Sequence, residues 1–148
     1  MSSWIASTVN PSALEDTDMA NVMDICVVDD ELIVCERLQP ILEKSGFAVE
    51  TFTNSSMALK RLSEKPFDIL ITDIKMGQPD GIELLRYAKT HSPKTRVIII
   101  TGFATAETAR EAMKSGAVDF IAKPFRLSQL IDLVINISEE IKNSSEHK

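Results

Sequence analysis

Three acidic residues and one lysine stand at the ends of short apolar runs, and they carry the clearest chemical signal in this chain. Asp29 and Asp30 close one run, Asp73 closes a second, and Lys123 ends another. If these runs are strands of a parallel sheet, their carboxyl ends meet at one edge, where such sheets bind ligands. Carboxylates gathered there repel one another unless a divalent cation and an ammonium group offset their charge. The pattern therefore predicts a site for Mg²⁺ and a phosphoryl group.

The residue types suggest a role for each group at this site. A carboxylate attacks phosphorus poorly because the incoming dianion repels it, so it needs a metal ion that binds both partners. Asp73 is the candidate nucleophile, and the backbone carbonyl of Lys75 would complete a metal site built from one or two of the three carboxylates. Lys123 offers an ammonium to the transferred group, and Thr101, at the end of a further apolar run, offers a hydroxyl.

Each of these residues also has an ordinary structural interpretation. Asp29 alone suits the N-cap of a helix, Asp73 suits a turn before a loop with Gly and Pro, and Lys123 suits a strand end. Thr101 and Phe120 are equally compatible with a strand-end hydroxyl and a core aromatic side chain. The joint occurrence of the acidic residues and the lysine at three strand ends favours a shared site over coincidence.

Composition excludes several classes of function. The 148 residues are 44% hydrophobic and 26% charged, as in an ordinary globular protein, and the net charge of −6 with scattered basic residues disfavours nucleic acid and anionic membranes. No apolar stretch approaches the roughly 20 residues of a membrane helix, and the N-terminus does not resemble a signal peptide, so a cytoplasmic location is expected. Cys26 and Cys35 are interpreted as small core residues.

From residue 24 onward, short apolar runs alternate with amphipathic segments, which is typical of repeated β-α units. Three of the runs are continuous in Val, Ile and Leu and are expected to be buried on both faces, whereas the second run alternates and is predicted at a sheet edge. The predicted class is α/β, with a doubly wound, five-stranded parallel sheet. The predicted strands are 24–29, 47–51, 67–72, 96–101 and 117–122.

The amphipathic segments predict five helices. The first should end at Gly46 and the fourth at Gly116, since glycine suits a left-handed C-terminal cap. The others are predicted at about 55–64, 81–90 and 127–142. Apolar residues cover roughly 200° of the last helix, which predicts exposed apolar surface there. The apolar positions at helical spacing are Leu32, Cys35, Leu38 and Leu42 in the first helix, while Met57, Ala58 and Leu62 are expected to face inward in the second.

The chain divides into three parts in this interpretation. Residues 1–22 are rich in Ser, Thr, Asn, Asp and Pro without a hydrophobic period, and are predicted to form a flexible tail. Residues 23–142 form the one folded domain. Residues 143–148 are predicted to be a short C-terminal tail.

These motifs resemble a response-regulator receiver domain of two-component signalling, over residues 24 to about 142. In that resemblance Asp29 and Asp30 match the acidic pair that orders the metal, and Asp73 matches the phosphoacceptor. The resemblance implies a flavodoxin-like (βα)5 fold with strand order 2-1-3-4-5.

Further positions match the switch machinery of the same family. Thr101 resembles the switch hydroxyl, Phe120 resembles the switch aromatic residue, and Lys123 resembles the phosphate-contacting lysine, followed by the frequently cis Pro124. The stretches around Thr101 and Lys123 are particularly similar to receivers of the nitrogen-regulation type. Those receivers often precede an ATPase and a DNA-binding domain, so this chain is expected to be a stand-alone or an excised receiver.

The resemblance implies a phosphorylation-dependent switch. Asp73 would accept a phosphoryl group, with Mg²⁺, from the phosphohistidine of a sensor histidine kinase or phosphotransfer protein. The change would alter a surface formed by the fourth helix, fifth strand and fifth helix, which an unknown downstream protein reads. No enzyme activity is expected beyond self-directed phosphoryl transfer and slow autodephosphorylation. His91 and His147 fall in a predicted loop and tail, so the donor must be another protein.

Two more expectations concern the modified state. Lys75 and Phe103 occupy the positions two after the phosphoacceptor and two after the switch hydroxyl, so they are predicted to modulate dephosphorylation by controlling water. The wide apolar face of the last helix suggests that phosphorylation promotes a homodimer, or binding to a partner helix, through residues near Leu133 and Ile135.

One departure and three alternatives qualify this interpretation. The loop after Asp73 places Gly77 where the family usually has proline, and the proline comes later, at Pro79. A haloacid-dehalogenase phosphatase would need Asp-x-Asp and a cap domain, whereas the chain has Asp-Asp-Glu. A nucleotide site would need glycines after the first strand, which are missing. A binding module that works without phosphorylation would be expected to lose an acidic or lysine position, and none is lost.

Overall fold

The computed structural model describes residues 22–146, so the predicted N-terminal tail lies almost wholly outside the described residues. Five parallel strands form a single sheet in the order β2-β1-β3-β4-β5, which confirms the predicted class and the predicted order. The strands are β1 (Asp24–Val28), β2 (Ala48–Phe52), β3 (Ile69–Thr72), β4 (Arg96–Thr101) and β5 (Asp119–Ala122). The helices are α1 (Leu32–Lys44), α2 (Ser55–Glu64), α3 (Gly81–His91), α4 (Ala106–Lys114) and α5 (Leu127–Glu146).

The sheet has a separate apolar core on each face, because successive side chains of a strand point to opposite sides. On one face Ile25 and Val27 of β1 pack with buried residues of α1 and α5. On the other face Cys26 and Val28 pack with buried residues of α2, α3 and α4. β1, β3 and β4 are buried on both sides, as their continuous apolar runs predicted.

Helix ends follow the local sequence signals. Asp80 and Thr105 cap α3 and α4 through reciprocal capping boxes, and the side chain of Asn54 caps α2. Gly46 follows α1 with a φ of 102°, and Gly116 follows α4 with a φ of 111°, as expected for the two glycines. α1 differs, because its N-cap residue is Glu31 and that side chain forms no capping hydrogen bond.

Several predicted details were wrong. Met57 was expected to face inward but is 62% exposed, since it lies at the margin of the apolar stripe of α2. α5 continues to Glu146, beyond the predicted end at 142, because no Gly or Pro interrupts it. Its apolar side chains are all buried or half-buried in the described part of the helix, since α5 packs against both the sheet and α1, so only part of its apolar face stays open to solvent.

The observed strands also begin at slightly different residues from the predicted ones. The predicted third and fifth strands include Phe67 and Ala117, but β3 begins at Ile69 and β5 at Asp119. Both side chains are nevertheless buried, so they belong to the core without joining the ladder. None of the helices within residues 22–146 is long and apolar enough to span a membrane.

Candidate functional site

The strand order reverses between β1 and β3, and the acidic residues lie at the carboxyl ends of these two strands. Val28 is in register with Thr72, so Asp29 and Asp73 follow side by side. The Asp73 N–H donates to the Val28 carbonyl at 3.0 Å, which extends the ladder to Asp73. The sheet therefore fixes both carboxylates at the switch point, where open parallel sheets bind ligands.

The three predicted carboxylates form one cluster. One oxygen atom from each of Asp29, Asp30 and Asp73 lies within 4.8 Å of the others. Asp29 is fully buried and Asp73 is 5% exposed, whereas Asp30 is exposed. The arrangement has two buried carboxylates at its base and one open to solvent.

Lys123 enters the cluster from the end of β5. Its Nζ lies 2.7 Å from Asp29 Oδ2 and 2.9 Å from Asp73 Oδ2, and the side chain is only 14% exposed. The Lys123 N–H donates to the Thr101 carbonyl at 2.8 Å, which ties the end of β5 to the end of β4. The peptide bond between Lys123 and Pro124 is cis, as the resemblance implied.

A fourth carboxylate, which the sequence did not indicate, also holds the lysine. Glu31 Oε1 lies 2.6 Å from Lys123 Nζ, although 92 residues separate the two along the chain. The Glu31 N–H donates to Asp29 Oδ1 at 2.9 Å, so Glu31 also orients the buried acid. The one sequence signal was an acidic residue directly after the Asp-Asp pair, at a helix N-cap where Ser, Thr, Asp or Asn is preferred.

Burial and neighbouring charges shift the pKa values of Asp29 and Lys123 in opposite directions. Burial raises the pKa of Asp29 above its ordinary range, and the nearby Lys123 ammonium and the hydrogen bond from the Glu31 N–H only partly offset that effect. Burial lowers the pKa of Lys123, but the surrounding carboxylates of Asp29, Glu31 and Asp73 outweigh it and raise that pKa overall. Lys123 is therefore a fixed positive charge inside an excess of negative charge.

The donor atoms of this cluster fit a hard divalent cation. Asp29 Oδ2 is buried and, within residues 22–146, has no hydrogen-bond partner, because its close contact with Lys123 Nζ lacks hydrogen-bond geometry. Asp73 Oδ1 accepts the Ile74 N–H at 2.6 Å, which leaves Oδ2 facing the cluster. The Lys75 carbonyl accepts no hydrogen bond among the described residues. All-oxygen donors of this kind suit Mg²⁺.

The predicted switch residues, Thr101 and Phe120, form no hydrogen bond with Asp73 within residues 22–146. Thr101 is fully buried, and its Oγ1 accepts the Phe103 N–H at 3.0 Å; in the described part of the chain it makes no hydrogen bond to Asp73. Phe120 is half-buried and packs against the core beneath α2, α3 and α4. The hydroxyl is thus engaged by its own loop in this geometry.

The loop after Asp73 is held by its own backbone. The Gly81 N–H donates to the Ile74 carbonyl at 2.8 Å, and a Cβ at Gly81 would overlap the Asp73 carbonyl oxygen. Gly77 adopts a φ of 90°, a conformation that proline cannot reach, so proline does not fit this position of the loop. The following Gln78–Pro79 bond is cis.

The fold is a doubly wound α/β domain with a carboxylate cluster at the point where the strand order reverses, and comparison with known proteins gives its family. Residues 25–135 match the response regulator receiver domain, so the chain belongs to that family. Receiver domains are parts of two-component response regulators, are phosphorylated by histidine kinases and generally bind Mg²⁺ at an acidic pocket. Phosphorylation-dependent switching follows from family membership.

The similar curated proteins are longer than this chain. The chain is 42% identical over 108 residues to the transcriptional regulatory protein ZraR of Klebsiella oxytoca, covering 73% of this chain and 24% of that protein. It is 38% identical over 129 residues to an NtrX-like response regulator of Rickettsia bellii, covering 86% of this chain and 27% of that protein. The chain therefore spans about a quarter of the length of the curated relatives it matches. Similarity to nitrogen-regulation receivers is confirmed.

Solved structures agree with this assignment. A CheY-like receiver domain protein from Methanospirillum hungatei JF-1 has a TM-score of 0.79 at 27% identity, over 83% of this chain and 98% of that one. NtrX from Brucella abortus has a TM-score of 0.76 at 32% identity, over 84% of this chain and 29% of that one. The match to whole receiver chains confirms the predicted fold.

Proposed function

We propose that Asp73 is the phosphoacceptor of this receiver and takes its phosphoryl group from the phosphohistidine of a sensor histidine kinase or a phosphotransfer protein. An Asp73 carboxylate oxygen attacks the phosphorus atom, an oxygen–phosphorus bond forms and the phosphorus–nitrogen bond of phosphohistidine breaks. The imidazole leaves with the bonding electron pair and is protonated from solvent. The observation that carries the proposal is the contact of the nearly buried Asp73 Oδ2 with Lys123 Nζ at 2.9 Å.

The residues around Asp73 account for the chemistry. Lys123 lies where it meets oxygens of a group attached to Asp73, so it offsets charge that develops during transfer. Asp29, Asp30, Asp73 and the Lys75 carbonyl would hold Mg²⁺. When bound, that ion supplies positive charge shared by the nucleophile and the phosphoryl oxygens.

In the same proposal the phosphoryl group acts through Thr101 and Phe120. The Thr101 hydroxyl, whose oxygen accepts the Phe103 N–H in this structure, moves toward Asp73 and donates its O–H to a phosphoryl oxygen, and Phe120 turns into the space that the threonine vacates. The movement biases an equilibrium between two packings and changes the surface of α4, β5 and α5. A downstream protein reads that surface.

Two further parts of the proposal concern activity and partners. The chain acts on itself, so we propose no catalytic turnover beyond phosphoryl transfer to Asp73 and slow autodephosphorylation, in the cytoplasm where kinase and target meet. Phosphorylation also promotes a homodimer through α5 near Leu133 and Ile135, which are half-buried against the core. Size-exclusion chromatography with light scattering, with and without a phosphodonor, tests the dimer. Monomers in both conditions would reject it.

Intact-mass spectrometry tests the assignment of Asp73. Incubation with phosphoramidate or acetyl phosphate and Mg²⁺ should add one phosphoryl group to the wild type and none to Asp73→Asn. Asp132→Asn, an exposed carboxylate on α5, makes the same charge change away from the site and should label like the wild type. Equal labelling of the Asp73 variant would overturn the assignment.

A further inference from the structure

Glu31 has an unusual position for a residue at the start of a helix. As N-cap of α1 it forms no capping hydrogen bond, and its carboxylate reaches across the site to Lys123 Nζ at 2.6 Å instead. This is the shortest of the contacts that carboxylates make with that ammonium. The side chain is thus engaged with the site and not with its own helix.

The three carboxylates around Lys123 differ in how easily they can leave it. The Asp29 side chain is 0% exposed and the Asp73 side chain is 6% exposed. Each residue comes directly after a strand of the sheet, which fixes its position. The Glu31 side chain is 58% exposed, so water can replace its contact with Lys123. Breaking the contact with Glu31 therefore costs least, because a surface ion pair exchanges its partner for solvent at small net cost.

The N–H donors of Lys123 are already largely engaged by carboxylates, so few are available to a phosphoryl group. An ammonium carries three N–H groups. In this structure two of them donate to Glu31 and Asp73. Asp29 Oδ2 lies 2.7 Å from the same nitrogen atom. An oxygen of a phosphodonor must displace one of these carboxylates before Lys123 can serve it.

We infer that Glu31 is a positioning residue that holds Lys123 in the resting receiver and must release it before the phosphoryl group is transferred. The inference rests on the proposed phosphorylation of Asp73 and adds a step to it. Glu31 competes with the phosphoryl oxygens for the same ammonium, so it slows phosphorylation and sets the receiver's threshold for a donor. After transfer, the phosphoryl group occupies the place of the Glu31 carboxylate, and the side chain of Glu31 turns to solvent.

The rate of labelling by acetyl phosphate, followed by intact mass with Mg²⁺ present, tests this inference. Glu31→Gln should label Asp73 roughly two- to fivefold faster than the wild type, the range expected when an exposed ion pair is removed. Glu31→Asp keeps the charge but is one methylene shorter, so it should also label faster. Glu36→Gln, an exposed carboxylate further along α1, is the matched control for charge and should label at the wild-type rate.

A second comparison isolates the contact with the lysine. In a Lys123→Ala background, Glu31→Gln should give no gain, because the ammonium for which Glu31 competes is missing. A Glu31→Gln rate equal to or below that of the wild type would overturn the inference. So would a Glu31→Asp rate equal to that of the wild type, or a gain that persists without Lys123. Absence of labelling in the wild type would instead reject the proposed function itself.

Discussion

The Lys75 ammonium lies 4.8 Å from the centre of the Phe103 ring, in a cation–π contact that joins the loop after β3 to the loop after β4. The backbone N–H of Phe103 donates to the Thr101 hydroxyl, so the same residue also contacts the predicted switch residue. Phe103 is 51% exposed, and contacts of this kind contribute about 0.5–1 kcal/mol at exposed sites. The pair forms a strap between the two loops that border Asp73.

This strap predicts a slow loss of the phosphoryl group from Asp73. An aromatic ring and an ammonium at these positions shield phosphorus without offering a general base to water. Phe103→Ala and Lys75→Asn should each speed decay, up to about tenfold if shielding is worth ~1.4 kcal/mol. The measurement is intact mass over time after donor removal. Phe103→Leu keeps apolar cover without the cation–π contact and should fall between the wild type and Phe103→Ala.

The outcome separates shielding from other causes. If Phe103→Ala and Lys75→Asn both decay at the wild-type rate or more slowly, the strap does not protect the phosphoryl group. Equal acceleration in Phe103→Leu and Phe103→Ala would assign the effect to the cation–π contact and not to apolar cover.

Mg²⁺ should stabilise the unphosphorylated protein. Burial already raises the pKa of Asp29, so its ionised form costs free energy in the folded state, and a bound divalent cation offsets that cost. A metal concentration of about 100 times Kd would add ~2.7 kcal/mol to the free energy of unfolding and raise Tm by several degrees. Thermal melts with MgCl₂, and with NaCl at matched ionic strength, measure it.

Variants locate the metal effect. Asp29→Asn and Asp30→Asn should each reduce the rise in Tm, whereas Asp132→Asn on α5 should leave it unchanged. A rise in Tm of the same size in NaCl, or one that survives both substitutions, would argue against a site in this cluster.

The placement of the strands, and with it the position of the site, could be predicted from local sequence patterns. The continuous apolar runs placed β1, β3 and β4 in the sheet interior because parallel strands buried on both faces need such sequences. Once the strands are parallel, Asp29, Asp73 and Lys123 must meet at one edge, and the structure brings them within hydrogen-bonding or ion-pair distance. The roles of these residues in transfer stay predictions.

Contacts between long side chains of distant segments did not follow from the sequence. Glu31 reaches Lys123 across 92 residues, and Lys75 meets Phe103 between two loops, because rotamers and loop geometry decide which ends touch. Met57 shows the same limit within a helix, since a position at the margin of an apolar stripe faces water or core according to the helix rotation.

The ion pair between Arg61 and Glu50 predicts a dependence of stability on pH. Hydrogen bonds from Arg61 lower the pKa of Glu50 below its ordinary value of 4.5. A lowered folded-state pKa contributes stability that is present above pH 4.5 and is lost as pH falls through the folded-state value. Glu50→Gln should therefore lower the free energy of unfolding by about 0.5 kcal/mol at neutral pH, with a smaller difference in acid. Urea unfolding across this pH range measures it.

An exposed acid on α5 serves as the control for this pair. Glu139→Gln makes the same charge change away from Arg61 and should not reproduce the difference. If Glu50→Gln lowers the free energy of unfolding by the same amount at neutral and acidic pH, the pair does not act through ionisation of Glu50.

The close approach of Gly81 to Asp73 predicts that a single methyl group at residue 81 displaces Asp73. A Cβ at Gly81 would overlap the Asp73 carbonyl oxygen and lie 2.7 Å from its carbonyl carbon, and neither backbone atom can yield without moving the loop. Gly81→Ala should cost about 2–3 kcal/mol in urea unfolding and slow labelling of Asp73. Gly102→Ala, where a Cβ meets nothing within 4 Å, should stay within ~0.5 kcal/mol of the wild type. Equal stability of the two variants would show that the loop absorbs the methyl group without moving Asp73.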